Sequence, residues 1–117
     1  MEGQDKKSGR PATDQFETRC CWLFNPTPAN IWLYDREGEW TIGVQGGYQV
    51  EDEWPWPVFK RNQWVKTNVS HGYGCVCLRL RVDRQTHQVT EIKSARAQAL
   101  SVCRQDKSLK PREKMFK

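Results

Sequence analysis

Five cysteines, at positions 20, 21, 75, 77 and 103, are the residues of this chain best suited to chemistry. They could ligate a metal, supply a nucleophile or form disulfides, and their spacing weighs these choices. Zinc favours Cys-x2-Cys knuckles, whose two sulfurs reach one tetrahedral ion. None occurs here, and Cys75-Val76-Cys77 on a strand is a poorer chelate even with His71 close by in sequence. A catalytic thiolate needs a nearby base or a helix N-terminus, yet neither His71 nor His87 has an evident partner. Disulfides fit better. Neighbours such as Cys20 and Cys21 rarely bond each other, because the small ring distorts the peptide, and Cys75 and Cys77 are an awkward pair on a regular strand. The expected bridges are therefore long-range, among one of Cys20 or Cys21, the Cys75/Cys77 pair, and Cys103. Each would close a loop of roughly 25–60 residues, worth about 3–4 kcal/mol in the chain-entropy picture. An odd count leaves one thiol over.

The acids and aromatics offer a second kind of chemistry. Glu51, Asp52 and Glu53 suggest a glycosidase, but that mechanism needs two carboxylates at a set separation, one of them in an apolar pocket. Three consecutive acids on an extended loop point alternately and stay solvated. The six tryptophans are many for this length. Trp22, Trp32, Trp40 and Trp64 suit a small sheet that uses tryptophan as core filler. Trp54 and Trp56 differ, because Pro55 and Pro57 lock them into an extended segment. They could cover a sheet face, or dock a partner or a sugar ring. The expected recognition surface is Tyr48, Trp54, Trp56, Phe59, Lys60 and Arg61. Lys60, Arg61, Trp64 and Lys66 also resemble a weak single-strand nucleic-acid platform. No nucleic-acid signature accompanies them, so no nucleic-acid partner is expected.

These residues must be held by strands. From Gly74 onward the stretch His71–Asp83 alternates, with Val76, Leu78, Leu80 and Val82 on one face. Cys75, Cys77, Arg79, Arg81 and Asp83 take the other. A period of two over this length means a half-buried strand, with Cys75 and Cys77 on one face about 6.5–7 Å apart. Upstream, Asn25-Pro26-Thr27-Pro28 should break an apolar segment ending at Phe24. The stretch from Ile31 to Val44 reads as a hairpin around Asp35-Arg36-Glu37-Gly38, with Gly38 supplying positive φ. A short strand is expected within Phe59–Thr67, a second hairpin strand over Gln88–Ala95, and one short helix or turn presenting Cys103.

The chain carries 117 residues and a net charge of +5. That length suits one domain with a modest core, in which a covalent staple matters. Residues 107–117 hold five basic groups against one acidic, whereas residues 15–106 are nearly balanced at eleven against ten. Residues 1–14 read as a disordered leader, 15–106 as a single β-rich domain, and 107–117 as a basic flexible tail. No apolar run is long enough to span a membrane, and the start, Met1 to Arg10, has no signal-peptide h-region. The protein is then either cytoplasmic, if its thiols are reduced, or exported with its signal peptide missing from this sequence.

Several of these pieces together resemble a known family. They are Thr18-Arg19-Cys20-Cys21-Trp22, Asn25-Pro26-Thr27-Pro28, Gly38-Glu39-Trp40, Gly72-Tyr73-Gly74-Cys75-Val76-Cys77 and Leu100-Ser101-Val102-Cys103-Arg104. The combination is similar to small bacterial proteins classed as a domain of unknown function, number 4087. Members usually start with a signal peptide, so the resemblance implies a periplasmic or secreted protein. The family carries glycine more often at the position of Cys21. The resemblance thus implies that Cys21 is the free thiol, and that Cys20, Cys75, Cys77 and Cys103 form two disulfides. It implies no activity.

The expected fold is mainly β: a small antiparallel sheet of four to six strands with at most one short C-terminal helix, stapled by disulfides. Ile31, Leu33, Ile42, Val76, Leu78, Leu80, Val82, Val89 and Ile92 should line its core. The expected function is that of a non-enzymatic exported binding protein, acting on another protein or an envelope polymer without a cofactor. An inhibitor or immunity-type partner of an envelope enzyme would fit. A cysteine-ligated metal-binding or redox protein is the alternative. The chain would be a monomer, or a dimer linked through Cys21.

Overall fold

The alternating stretch His71–Asp83 becomes the longest strand in a computed structural model, which describes residues 15–50 and 53–117. The strands are β1 (Glu17–Thr27), β2 (Asn30–Asp35), β3 (Gly38–Gly43), β4 (Trp64–Asn68), β5 (His71–Asp83) and β6 (Gln88–Gln98). One short helix, α1 (Leu100–Arg104), follows β6, and 3-10 turns span Arg61–Gln63 and Lys110–Phe116. The leader expected at residues 1–14 lies outside the described residues, as do Glu51 and Asp52.

The pairings close into a ring. β1 pairs with β2, β2 with β3, β3 with β6, β6 with β5, and β5 again with β1. All are antiparallel except β3–β6, a single parallel bridge between Thr41 and Gln88, where the Thr41 N–H donates to the His87 carbonyl at 2.8 Å. The sheet is therefore mixed, not antiparallel throughout. The reason is topological: directions cannot alternate around a ring of five, so one neighbouring pair must run parallel. With β4 set aside, the order around the ring is first, second, third, fifth, fourth, a Greek-key connectivity shared with small barrels of the OB type. β4 pairs with the start of β5, beyond the point where β6 departs.

The barrel interior holds Cys21, Leu23, Leu33, Trp40, Ile42, Val76, Leu78, Leu80, Val82, Val89 and Ile92, with Ile31 packed at its edge. The aliphatic row of β5 thus points inward, and its odd-numbered residues point out. Burial of this apolar row is the main term holding the fold.

The outer face of β1, β2 and β5 is not left to solvent. Trp22, Tyr34, Tyr73 and Cys75 are covered there by Cys103, Leu109 and Phe116. The Phe116 ring stacks on Phe24 at 4.6 Å and also meets Tyr73 at 4.9 Å. The Trp22 indole N–H donates to the Leu109 carbonyl at 2.8 Å. Residues 107–117 are thus a folded cover and not the flexible tail that their charge suggests. Their four lysines face water while two apolar side chains, Leu109 and Phe116, are buried.

The prolines correct a second expectation. β1 runs through Pro26 to Thr27, and its ladder to β2 shifts register between Phe24 and Thr27. A bulge leaves a residue without a ladder partner, so the missing N–H of Pro26 costs nothing there.

Candidate functional site

Where β5 begins, the barrel end opens into a cleft of about 640 Å³, lined by Asn25, Trp56, Pro57, Phe59, Lys60, Arg61, Trp64, Lys66, Ser70 and His71. Two glycines make it. A β-carbon on Gly74 would stand 2.5 Å from the Phe59 ring, and one on Gly72 would stand 1.8 Å from the Val65 carbonyl oxygen. Bare backbone therefore lets Phe59 and β4 lie directly on β5. Trp64 packs on Phe59 with ring centres 4.7 Å apart, and its indole N–H donates to the Ser70 carbonyl at 3.0 Å. The Lys60 amide donates to Gln63 Oε1 at 2.9 Å, capping the turn that carries Lys60 and Arg61.

Trp56 is held out by its neighbours. Pro57 is fully buried and Trp54 packs against the barrel core, while Trp56 between them remains 42% exposed. The Trp54 ring supports it at 4.9 Å. The alternate prolines fix this extended geometry, so the ring is presented without loss of further loop entropy. Among the described residues, the lining has four basic or titratable nitrogen side chains, Lys60, Arg61, Lys66 and His71, and no carboxylate. A concave surface with one sign of charge concentrates anions.

The structure brings Trp56, Phe59, Lys60 and Arg61 to one cleft, with Trp54 behind them. Tyr48 sits elsewhere, its hydroxyl donating to the Val89 carbonyl at 2.6 Å and tying its loop to β6. Glu53 is exposed and takes no part in the lining. Asn25, Ser70 and His71 were not among the expected binding residues. Asn25 comes from the far end of β1, which only the β1–β5 ladder brings beside Gly72. Trp64 and Lys66 did carry a sequence signal, charge interleaved with an aromatic, that belongs to this cleft.

The cysteines form two bridges, Cys20–Cys77 and Cys75–Cys103. Cys20 and Cys77 stand opposite one another on the outer face of the β1–β5 ladder. Cys75 faces the same side and takes the sulfur of α1, fastening the C-terminal cover. Four of the five sulfurs are thus oxidised, which leaves no set of thiolates for the metal-binding alternative. Among the described residues, no group of three or more His, Cys, Asp or Glu is placed to hold a metal ion. Cys21 is free and fully buried inside the barrel. Burial, reinforced by the Asp35 charge, pushes its thiol pKa up. Its sulfur, on which the expected Cys21-linked dimer would depend, is not exposed on the folded surface.

The opposite barrel end is plugged by charge. Arg19, pointing inward from β1, pairs with buried Asp35 and lies 4.3 Å over the Trp40 ring. Asp35 also accepts from the Glu37 and Gly38 amides and from the Trp40 indole, at 2.8, 3.1 and 3.1 Å. A polar hollow of about 300 Å³ beside it is lined by both signs of charge, including Glu17, Arg36 and Glu37. Arg19 is paired there with Glu17, Asp35 and Glu37, although its Nε is buried without a partner.

No helix among the described residues is long and apolar enough to cross a membrane. Neither a curated protein nor a solved structure matches the chain. The sequence does match the model of the family described as "Protein of unknown function (DUF4087)" over residues 14–110, and the chain belongs to that family.

Proposed function

We propose that this is an exported, non-enzymatic binding protein whose ligand is anionic and sits in the cleft between Trp56 and His71. The observation that carries this is the lining itself: three aromatic rings among four nitrogen bases, with no acid among the described residues that line it. Rings give contact area at low entropic cost, and cations select the sign of the partner. The two disulfides support export, since structural bridges persist in oxidising compartments. An inhibitor or immunity-type role toward an envelope enzyme suits a small, stapled scaffold that presents one preformed surface.

The test is retention on an immobilised polycarboxylate. Lys60→Glu with Arg61→Glu should elute at much lower salt than Lys107→Glu with Lys114→Glu, which changes the charge equally on the C-terminal cover. Equal elution of the two variants would mean that the body's overall charge, not the cleft, does the binding.

A further inference from the structure

The rim of the cleft carries aliphatic side chains that the cleft itself does not use. Five large hydrophobic residues are exposed among those described, and three of them, Trp56, Val58 and Val69, belong to this end of the barrel. Val58 is 88% and Val69 86% exposed. Val58 stands between the lining residues Pro57 and Phe59, and Val69 directly precedes the lining residues Ser70 and His71.

Val69 is also in the wrong conformation for its type. It occupies the tip of the β4–β5 hairpin, between the paired residues Asn68 and His71, with φ at +55°. A β-branched residue with positive φ is a steric outlier, because its Cβ branches crowd the backbone. Glycine or asparagine would sit there unstrained. Nothing inside the fold repays the strain, since the isopropyl group packs in solvent. Strain of this kind gathers at surfaces that contact ligands.

We infer that the cleft and its rim together form a docking surface for another protein, one that offers an acidic segment to Lys60, Arg61 and Lys66 and an apolar side chain to Val69. The inference rests on the cleft reading above and narrows it. Sugar rings and nucleobases would use the flat faces of Trp56 and Trp64, but they gain little from isopropyl groups on a rim. Aliphatic knobs gain by leaving water against the apolar side chains of a protein, beside a polar, charge-matched border. The partner is therefore a protein and not an anionic polymer.

The experiment follows tryptophan fluorescence of the full chain against three probes at one ionic strength. They are a glutamate-rich peptide with one central leucine, polygalacturonate, and a thymidine oligonucleotide. The peptide should bind best, and Lys60→Glu with Arg61→Glu should weaken it about tenfold or more. Val69→Gly should raise the melting temperature yet weaken the peptide severalfold. Replacing the leucine of the peptide by serine should weaken binding to the wild type but make no further difference to Val69→Gly, the mark of a direct contact. Preference for either polymer, or a Val69→Gly variant that binds the peptide like the wild type, would overturn the inference. Indifference of every probe to the Lys60/Arg61 reversal would remove the cleft reading instead.

Discussion

Phe59 lies on the bare α-carbon of Gly74, with the Gln63 carbonyl oxygen on the same spot, 2.9 Å from where a β-carbon would be. The floor of the cleft is therefore set by the absence of one methyl group. Gly74→Ala should force Phe59 off its seat at a cost of about 1–3 kcal/mol from overpacking, and alter the emission of Trp64, whose ring packs on Phe59. Gly72→Ala should be worse, because the clash there is with the backbone oxygen of Val65, which cannot rotate away. Urea melts of the two variants check the order. If Gly72→Ala proved the milder change, β4 would not be seated on β5 as described.

The two disulfides differ in what they hold. Cys20–Cys77 spans 57 residues and Cys75–Cys103 spans 28, so chain entropy assigns each about 4 kcal/mol, slightly more to the first. Their surroundings reverse that order. Cys20 is exposed and its strands stay paired by the β1–β5 ladder, whereas Cys75 and Cys103 are buried together under the C-terminal cover. A mild reductant should thus open Cys20–Cys77 first. Cys75→Ala with Cys103→Ala should free the cover and expose Trp22, lowering stability more than Cys20→Ala with Cys77→Ala. Timed alkylation and mass mapping read the first point, and thermal melts the second. The native protein should give no reactive thiol and the denatured protein one, Cys21.

Much of this was legible in the chain because it depends on local pattern. Val76 to Val82 alternates, Gly38 marks a turn, and each falls where a strand or hairpin formed. What escaped depends on closure. One bridge, Thr41 to Gln88, turns a sheet into a barrel, and one bridge leaves no periodic trace. The cover escaped because its lysines dominate any count of residues 107–117, while Leu109 and Phe116 are only two side chains. Their importance is set by the outward face of Trp22 and Tyr73, which the alternation of β1 and β5 leaves unfilled. The cleft was half legible for the same reason. Trp56 to Arg61 are contiguous, but Asn25 and His71 join them only through pairing of β1 with β5.

The cover should also respond to pH at both ends. Glu113 accepts from Arg104 at 2.6 Å and from the Tyr73 hydroxyl at 2.6 Å. Hydrogen bonds from Arg104, with help from Tyr73, hold its carboxyl below the ordinary range despite partial burial. A depressed carboxyl stabilises the fold above its unfolded pKa, and that contribution is lost as pH falls through the folded value. Tyr73 is pushed up to about 12, mainly by burial and then by its bond to Glu113. A raised phenol contributes fully below its ordinary value near 10 and loses that contribution as pH rises through about 12. Near-ultraviolet circular dichroism from Trp22 and Tyr73 should therefore show a plateau with an acid and an alkaline limb. Glu113→Gln removes the titrating carboxyl and the negative neighbour of Tyr73 in one change. Its acid limb should shrink, and its alkaline limb should move to lower pH. An acid limb identical to that of the wild type would place the sensitive carboxylate elsewhere in the fold.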